Sequence, residues 1–395
     1  MNWNIQLAKE YCFNVTDGTH DSPKAVENGK KLITSKHLKE FSLDFSSAKL
    51  ISEEDYLKII KRSNVKQWDI LFSMIGTVGN TYLEKNKIIE YACKNIGIFQ
   101  FNGDINKAYW FYYYLKSSKA KEYIYSHLRG STQQYLTLGD LREFPILVPP
   151  IEIRNKIITI LQSIDRKIEL NEKINNNLLE QIFSIYKKIF IDNINENRKI
   201  CRADEYFDIS IGKTPPRKEQ HWFSMNKEDV RWVSISDMGN CGVYINNSSE
   251  RLTKLAVDRH KIKIVPDNTV ILSFKLTVGR IAITNGEMVT NEAIAHFKTE
   301  NKYINEYLYC YLKHFNFKTM GSTSSIATAI NSKIIKGMPF VIPDEDEIEY
   351  FHSIALPIFN KIKINQLEIE KLNDLRDRLL PELISGKLNL SDVDI

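Results

Sequence analysis

The feature that most constrains this 395-residue chain is an internal repeat, in which the second half restates the first at a shift close to 195. Ile5, Ala8, Glu10 and Tyr11 recur as Ile200, Ala203, Glu205 and Tyr206, and Gly18 of DGTHDSP answers Gly212 of IGKTPP. DILFSMIGTVGN lines up with TVILSFKLTVGR, so Ser73, Thr77, Val78 and Gly79 match Ser273, Thr277, Val278 and Gly279. WFYYYLK (110–116) matches YLYCYLK (307–313), and Gly130, Ser131 and Thr132 match Gly321, Ser322 and Thr323. Pro145 and Pro149 fall on Pro339 and Pro343. Ordered matches at shifts between 191 and 200 along the whole length imply a duplicated domain, with free divergence between the matched elements.

Each half has the same layout. Short β-like stretches come first (ILFSMIG, RWVSISDM, HKIKIV, TVILSF, RIAIT), separated by Gly, Asn, Asp and Pro. An aromatic helix-like stretch follows, then a proline-flanked strand (PILVPP, PFVIPD), then a long helix. In the first helix a 4-3 spacing runs through Ile157, Leu161, Ile164, Ile168, Asn171, Asn175, Leu178, Ile182, Ile185 and Ile189. The second repeats it 194 residues later as Phe351, Ala355, Ile358, Ile362, Asn365, Ile369, Leu372, Arg376, Leu379 and Leu383. A seam with a 3.5-residue period calls for a partner helix, and the spacing predicts that the two pair antiparallel. Pro150 and Pro343 suit helix entry, while Pro357 and Pro381 are expected to kink or end the second helix. Asn171 and Asn365 hold equivalent seam positions; they either fix the register of the pair or turn to solvent beside a slightly rotated seam.

Composition adds exclusions. Hydrophobic content of 43% and charged content of 26% rule out wholesale disorder. No apolar run approaches the ~18 residues of a membrane helix, and the amino terminus lacks a basic-then-apolar leader. Cys12, Cys93, Cys201, Cys241 and Cys310 form no C-x-x-C, so a zinc ribbon is excluded and a reducing cytoplasm is expected. There is no P-loop, no G-x-G-x-x-G after a strand, no H-E-x-x-H and no G-x-S-x-G. Asp267 and Lys275 echo a nuclease carboxylate–lysine arrangement, but the acidic position two before the lysine is Ser273. The PP pairs lack the flanking residues of an adenine amino-methyltransferase pocket, and His20 and His37 are lone histidines. Catalysis and a metal site are therefore not expected in this chain. Charge is more informative: 12 Lys+Arg against 7 Asp+Glu between Lys213 and Arg280 make a surplus equal to the whole net charge of +5. Basic loops rich in Gly, Ser, Thr and Asn suit phosphates and base edges.

Together these phrases resemble the DNA-specificity (S) subunit of type I restriction–modification enzymes, over the entire chain. DGTHDSP and WDILFSMIGTVGN resemble the first recognition domain, and IGKTPP, VRWVSISDMG, Leu252-Thr253, VGRIAIT and TNEAIAHF the second. VPPIEIRNKI with LQSIDRKIELN resembles the central connecting region, and LNDLRDRLLPELISGKL (372–388) the C-terminal end. Arg154, where the family usually has Gln, and Asp344, in place of a second proline, depart from the pattern.

The resemblance implies an α+β chain with two mixed α/β target-recognition domains, a pair of long antiparallel coiled-coil helices and a pseudo-twofold repeat. It implies recognition domains at 1–150 and 193–343, a central helix at 151–192, and a distal helix with the C-terminal tail at 344–395. Each domain would read one half of a bipartite, asymmetric target in double-stranded DNA, with the helix pair as a ruler. Two methyltransferase subunits would bring S-adenosylmethionine and base flipping. Restriction and translocation subunits would bring ATP and Mg. No cofactor is expected in this chain. The implied DNA-facing residues of the first domain are Gly18, Thr19, His20, Ser73, Thr77, Gly79, Arg129, Ser131 and Gln133. Those of the second are Lys213, Thr214, Ser273, Lys275, Thr277, Arg280 and Ser322. The local basic surplus leads us to expect a steeper salt dependence for the second domain. A type IIB-like specificity subunit, a coiled-coil scaffold without a DNA role, and a self-contained nuclease or methyltransferase stand as alternatives.

Overall fold

A computed structural model describes residues 3–193, 198–320 and 330–388. The chain separates into two compact units, one of Met1–Glu169 with Leu372–Ile395 and one of Leu170–Lys371. Each long helix therefore contributes its two ends to different units.

In the first unit a four-stranded antiparallel sheet takes the order Asn14–Asp17, Ile96–Gln100, Ile70–Ser73, Thr81–Leu83. Beside it, Lys30–Ile33 pairs antiparallel with Lys49–Ile51 and parallel with Tyr91–Cys93. The second unit repeats the scheme. Asp208–Ile211, Ile294–Lys298, Val270–Ser273 and Ile281–Thr284 form the main sheet, extended by Tyr244–Ile245. Val230–Val233 lies between Glu250–Leu252 and the parallel Val289–Thr290, and Phe223–Ser224 adds an edge. The central strands are buried on both faces, which is why Ile70–Ser73 and Val270–Ser273 read as unbroken apolar runs rather than alternations.

The aromatic runs form the helices Ile105–Leu115 and Asn305–His314. The first is capped by Asp104, which accepts the Lys107 N–H at 2.9 Å. Each docks through one polar tip on its proline-flanked strand: Trp110 Nε1 donates to Leu147 O at 2.9 Å, and Tyr307 Oη to Val341 O at 2.8 Å. Those strands, Pro145–Val148 and Pro339–Val341, pair with Asn4–Leu7 and Ile200–Arg202. The repeat thus extends to single hydrogen bonds that satisfy buried aromatic donors.

The long helices are Ile151–Tyr186, closed by the π-helical turn Lys187–Ile191, and Glu345–Ile384. In the first unit Ile157, Ile158 and Leu161 share a core with Leu380, Leu383 and Ile384. In the second, Asn171 meets Glu368, Asn175 meets Asn365, and Tyr186 meets Phe351, so rising numbers on one helix face falling numbers on the other. The pairing is antiparallel, as the seam spacing predicts.

Three local expectations are corrected. The second helix runs unbroken through Pro357 and Pro381. Both prolines are exposed, so water can satisfy the carbonyls they release, while buried Phe351, Ala355, Phe359 and Leu380 anchor the other face. HKIKIV is not a strand. His260 caps the helix Lys254–Arg259, Lys261 turns left-handed (φ 49°) and Ile262 N–H returns to Val257 O at 2.9 Å, leaving a lone bridge at Val265. RWVSISDM is a strand only to Val233, because Ser234 and Asp237 form a capping box that starts the helix Ile235–Asn240. Among the described residues no helix is long and apolar enough to cross a membrane.

Candidate nucleic-acid interface

In the first unit the loops that leave the two sheets converge. The turn after Ile70–Ser73 is knotted by one side chain: Ser73 Oγ donates to Thr77 O and accepts the Asn80 N–H at 2.8 Å. Gly76 and Gly79 take positive φ (80° and 100°), which only glycine adopts without strain. Ser73 is fully buried, so its part here is to shape the turn, while Thr77 is presented to solvent. Gly18 and Thr19 are buried as well. A Cβ on Gly18 would stand 2.2 Å from Cys93 O, and Thr19 N–H donates to that same carbonyl at 2.9 Å. Both therefore hold backbone against backbone.

His20 is the exposed member of that loop, bonded to Asp17 Oδ2 and to Asn95 Oδ1, each at 2.9 Å. Asp17 is buried and also receives Arg62 at 3.2 Å. Arg129 begins a turn closed by reciprocal backbone bonds with Tyr135, at 3.0 and 2.9 Å, with Gly130 at φ 88°. Its guanidinium reaches Asp140 at 3.1 Å. Burial pushes the Asp140 carboxyl up, but hydrogen bonds from Thr137 and the Arg129 charge outweigh it and hold it below its usual range. Ser131 and Gln133 stand exposed on this turn. A concavity of about 320 Å³ gathers Thr34, Lys36, Thr77, Lys94, Asn95 and Gln133 from four loops. Of the sequence-derived candidates it joins Thr77 and Gln133 directly, with His20 attached through Asn95.

The second unit rebuilds the same devices with other residues. Ser273 is fully buried, with Oγ donating to Thr277 O at 2.6 Å and accepting the Arg280 N–H at 3.1 Å, and Gly279 sits at φ 91°. Lys213 N–H donates to Thr290 O at 2.9 Å and its Nζ to His260 O at 2.8 Å. Thr214 Oγ1 donates to Glu292, in the place where the first unit has His20 and Asn95. Lys275 and Thr277 are exposed at the turn. Arg280 is half-buried and donates to Ile235 O at 2.5 Å, which ties its guanidinium to the start of the neighbouring helix. Ser322, with Gly321 and Thr323, lies outside the described residues.

Sequence reading missed several residues that organise these loops. Asp17 and Arg62 support His20, and the Lys94-Asn95 turn, with Asn95 left-handed at φ 53°, lines the concavity. In the second unit Arg217 is clamped: it makes two bonds to Glu250 (2.9 and 2.8 Å) and lies over Phe223 and Trp232 at 4.3 and 4.6 Å. Arg231 and Arg251 donate to backbone carbonyls. Part of the basic surplus is thus spent inside the domain, whereas Lys218, Lys227, Lys254, Lys261, Lys263 and Lys275 remain exposed. The signal that could have found Arg217 is its place between Pro-Pro and Trp222-Phe223.

At the seam both asparagines are buried, which excludes the solvent-facing alternative. They do not bond each other: Asn171 Nδ2 donates to Glu368 Oε2 and Asn365 Nδ2 to Asn175 Oδ1, both at 2.8 Å.

A family model described as the type I restriction modification DNA specificity domain matches residues 24–180 and again 195–374. The HindI type I restriction enzyme specificity subunit of Haemophilus influenzae is 21% identical over 404 residues, covering 82% of this chain and 87% of its own. The MjaIX specificity subunit of Methanocaldococcus jannaschii is 27% identical over 306 residues, covering 71% and 69%. A crystal structure of the type I restriction–modification S subunit from M. genitalium superposes with a TM-score of 0.51 at 16% identity, covering 97% of this chain and 96% of that one.

Proposed function

The chain belongs to the type I restriction–modification DNA specificity family, and from that premise we propose that its two recognition domains read the two unlike halves of a bipartite DNA target. The observation that carries this reading is the pairing of like frames with unlike contact residues. Ser73 and Ser273 knot the same turn, and Gly18 and Gly212 make the same close backbone approach, yet His20 with Asn95 faces one site and Thr214 with Glu292 the other. A shared frame presents the loops in the same way; different hydrogen-bonding groups on them read different base edges.

In this reading Thr77, Arg129, Ser131 and Gln133 act with His20 on the first half-site, and Lys213, Thr214, Lys275 and Thr277 on the second. Ser73, Gly18, Thr19, Gly79, Ser273 and Arg280 set the loops. The antiparallel long helices act as the ruler for the unread gap, with Asn171 and Asn365 fixing their register. Two methyltransferase subunits supply S-adenosylmethionine and N6-adenine methylation, and restriction subunits supply ATP-driven translocation and Mg-dependent cleavage.

The test is methylation mapping in a host that expresses this chain with its cognate methyltransferase. A two-part motif with a fixed gap and one N6-methyladenine per strand is expected. A continuous motif, or none, contradicts the proposal.

A further inference from the structure

The turn that Ser273 knots carries a residue the repeat does not account for. Leu276 projects from its tip with 98% of its surface exposed. Its backbone is left-handed, at φ 61°, and Thr277 N–H closes on Lys275 O at 2.6 Å around it. A left-handed conformation is unfavourable for a bulky side chain, and a tight turn centred on such a residue is strained. The first domain shows the unstrained solution: Gly76 holds the matching position at φ 80°. Leucine here costs the free chain both strain and apolar hydration, and among the described residues no contact buries it.

We propose that Leu276 makes an apolar contact with the C5-methyl group of a thymine in the half-site of the second domain, an inference that rests on the DNA-reading function above. The major groove admits a two-stranded ribbon, and the thymine methyl is the apolar mark displayed there. The ribbon fits the task. Val270–Ser273 and Ile281–Thr284 are rigidly paired and their turn is fixed by Ser273. The tip places a lone leucine between exposed Lys275 and Thr277, so the surroundings suit phosphate and base edges rather than an apolar protein surface. Gly76 gives the first domain no such contact, so the two domains differ in their sensitivity to thymine methyl groups.

The test uses the whole methyltransferase complex and duplexes carrying its methylation-mapped target. Each thymine of the second half-site is replaced in turn by deoxyuridine, which removes only the methyl group, and Kd is measured for the native chain and for Leu276→Gly. At one thymine the native complex should bind about fourfold more weakly, the loss expected for one methyl removed from an apolar contact. Leu276→Gly, which also relieves the left-handed strain, should bind the thymine and deoxyuridine duplexes equally at that position. Equal responses of both proteins at every thymine overturn the proposal. So does a Leu276→Gly complex weakened equally on all sequences, which would mark a wedge or a structural role. If the native complex fails to prefer its mapped target over scrambled DNA, the DNA-reading function itself is wrong, an outcome separate from these.

Discussion

The two recognition domains share a frame, but they are built to different chemical specifications. Along the helix seam the first unit buries the Arg376–Asp165 ion pair and extends it to the exposed Glu40. Arg376 reaches Asp165 at 3.0 Å and Glu40 at 2.8 Å, with Lys116 also on Glu40 at 2.6 Å and Tyr113 Oη on Asp165 at 3.0 Å. The positions that correspond in the second unit, Ile182 and Phe359, lie in one apolar core. Burial pushes Lys116 below the usual lysine range, and it also raises Glu40, whose two cationic partners more than reverse the shift. The same helix geometry therefore tolerates a charged or an apolar interior, so long as every buried charge is matched.

The largest break in this comparison should come from Arg376→Ala. It strands buried Asp165, and we expect a loss of about 3–5 kcal/mol by urea unfolding. The double change Asp165→Phe with Arg376→Ile copies the seam of the second unit and should recover most of that loss. A single change that is nearly neutral would show that the network is not energetically coupled.

The second contrast is one of pH. Burial raises the Asp69 carboxyl to about 6, where the second unit has Thr269, and lowers the His296 imidazole to about 3, where the first unit has Ile98. His296 sits between Ser210 and Thr290, at 3.0 and 2.7 Å. The unfolded chain protonates this histidine near pH 6.5, so its contribution is complete above that pH and falls by about 1.4 kcal/mol per unit below it. Asp69 works in the other direction. The folded chain holds its proton longer, so stability is greatest below about pH 4 and declines as pH rises towards 6. Urea unfolding between pH 4 and 7 should show His296→Gln removing the loss on the acid side and Asp69→Asn removing the decline towards neutral. Parallel pH profiles for native and variant chains would disprove either assignment.

The smallest effect should be common to both domains. Ser52 caps Glu53–Ser63 by accepting the Asp55 N–H at 3.1 Å, and Thr253 caps Lys254–Arg259 by accepting the Ala256 N–H at 3.2 Å. Ser52→Ala and Thr253→Ala should each cost about 1 kcal/mol. A clear inequality between them would mean that the frame is less alike than its hydrogen bonds.

How much of this was legible in the sequence follows the range of the forces involved. The repeat and the antiparallel seam follow from periodicity, whereas the burial of Asn171 and Asn365, left open against a turn to solvent, does not. The partners of those asparagines do not, because Glu368 and Asn175 are brought opposite them only by the pairing of helices far apart in the chain. HKIKIV alternates like a strand, but the cap at His260 and the left-handed Lys261 turn it into a helix exit. Pro357 and Pro381 read as breakers because sequence does not show which face of the helix is wet. Those segments of the candidate site that fall among the described residues lie at loops, turns and strand ends. Which of their residues face outward was not readable: Ser73 and Ser273 look like contact residues and are internal knots, while Leu276, not singled out by the sequence, is the most exposed large apolar side chain among the described residues.

The central claim is that each domain reads its own half-site across a gap fixed by the helices. It is tested most directly by the affinity of the assembled methyltransferase for four duplexes: the mapped target, that target with either half-site scrambled, and that target with one base pair added to the gap. The account predicts that each of the three altered duplexes binds at least tenfold more weakly than the mapped target. Unchanged binding after scrambling either half, or full tolerance of the longer gap, would contradict it.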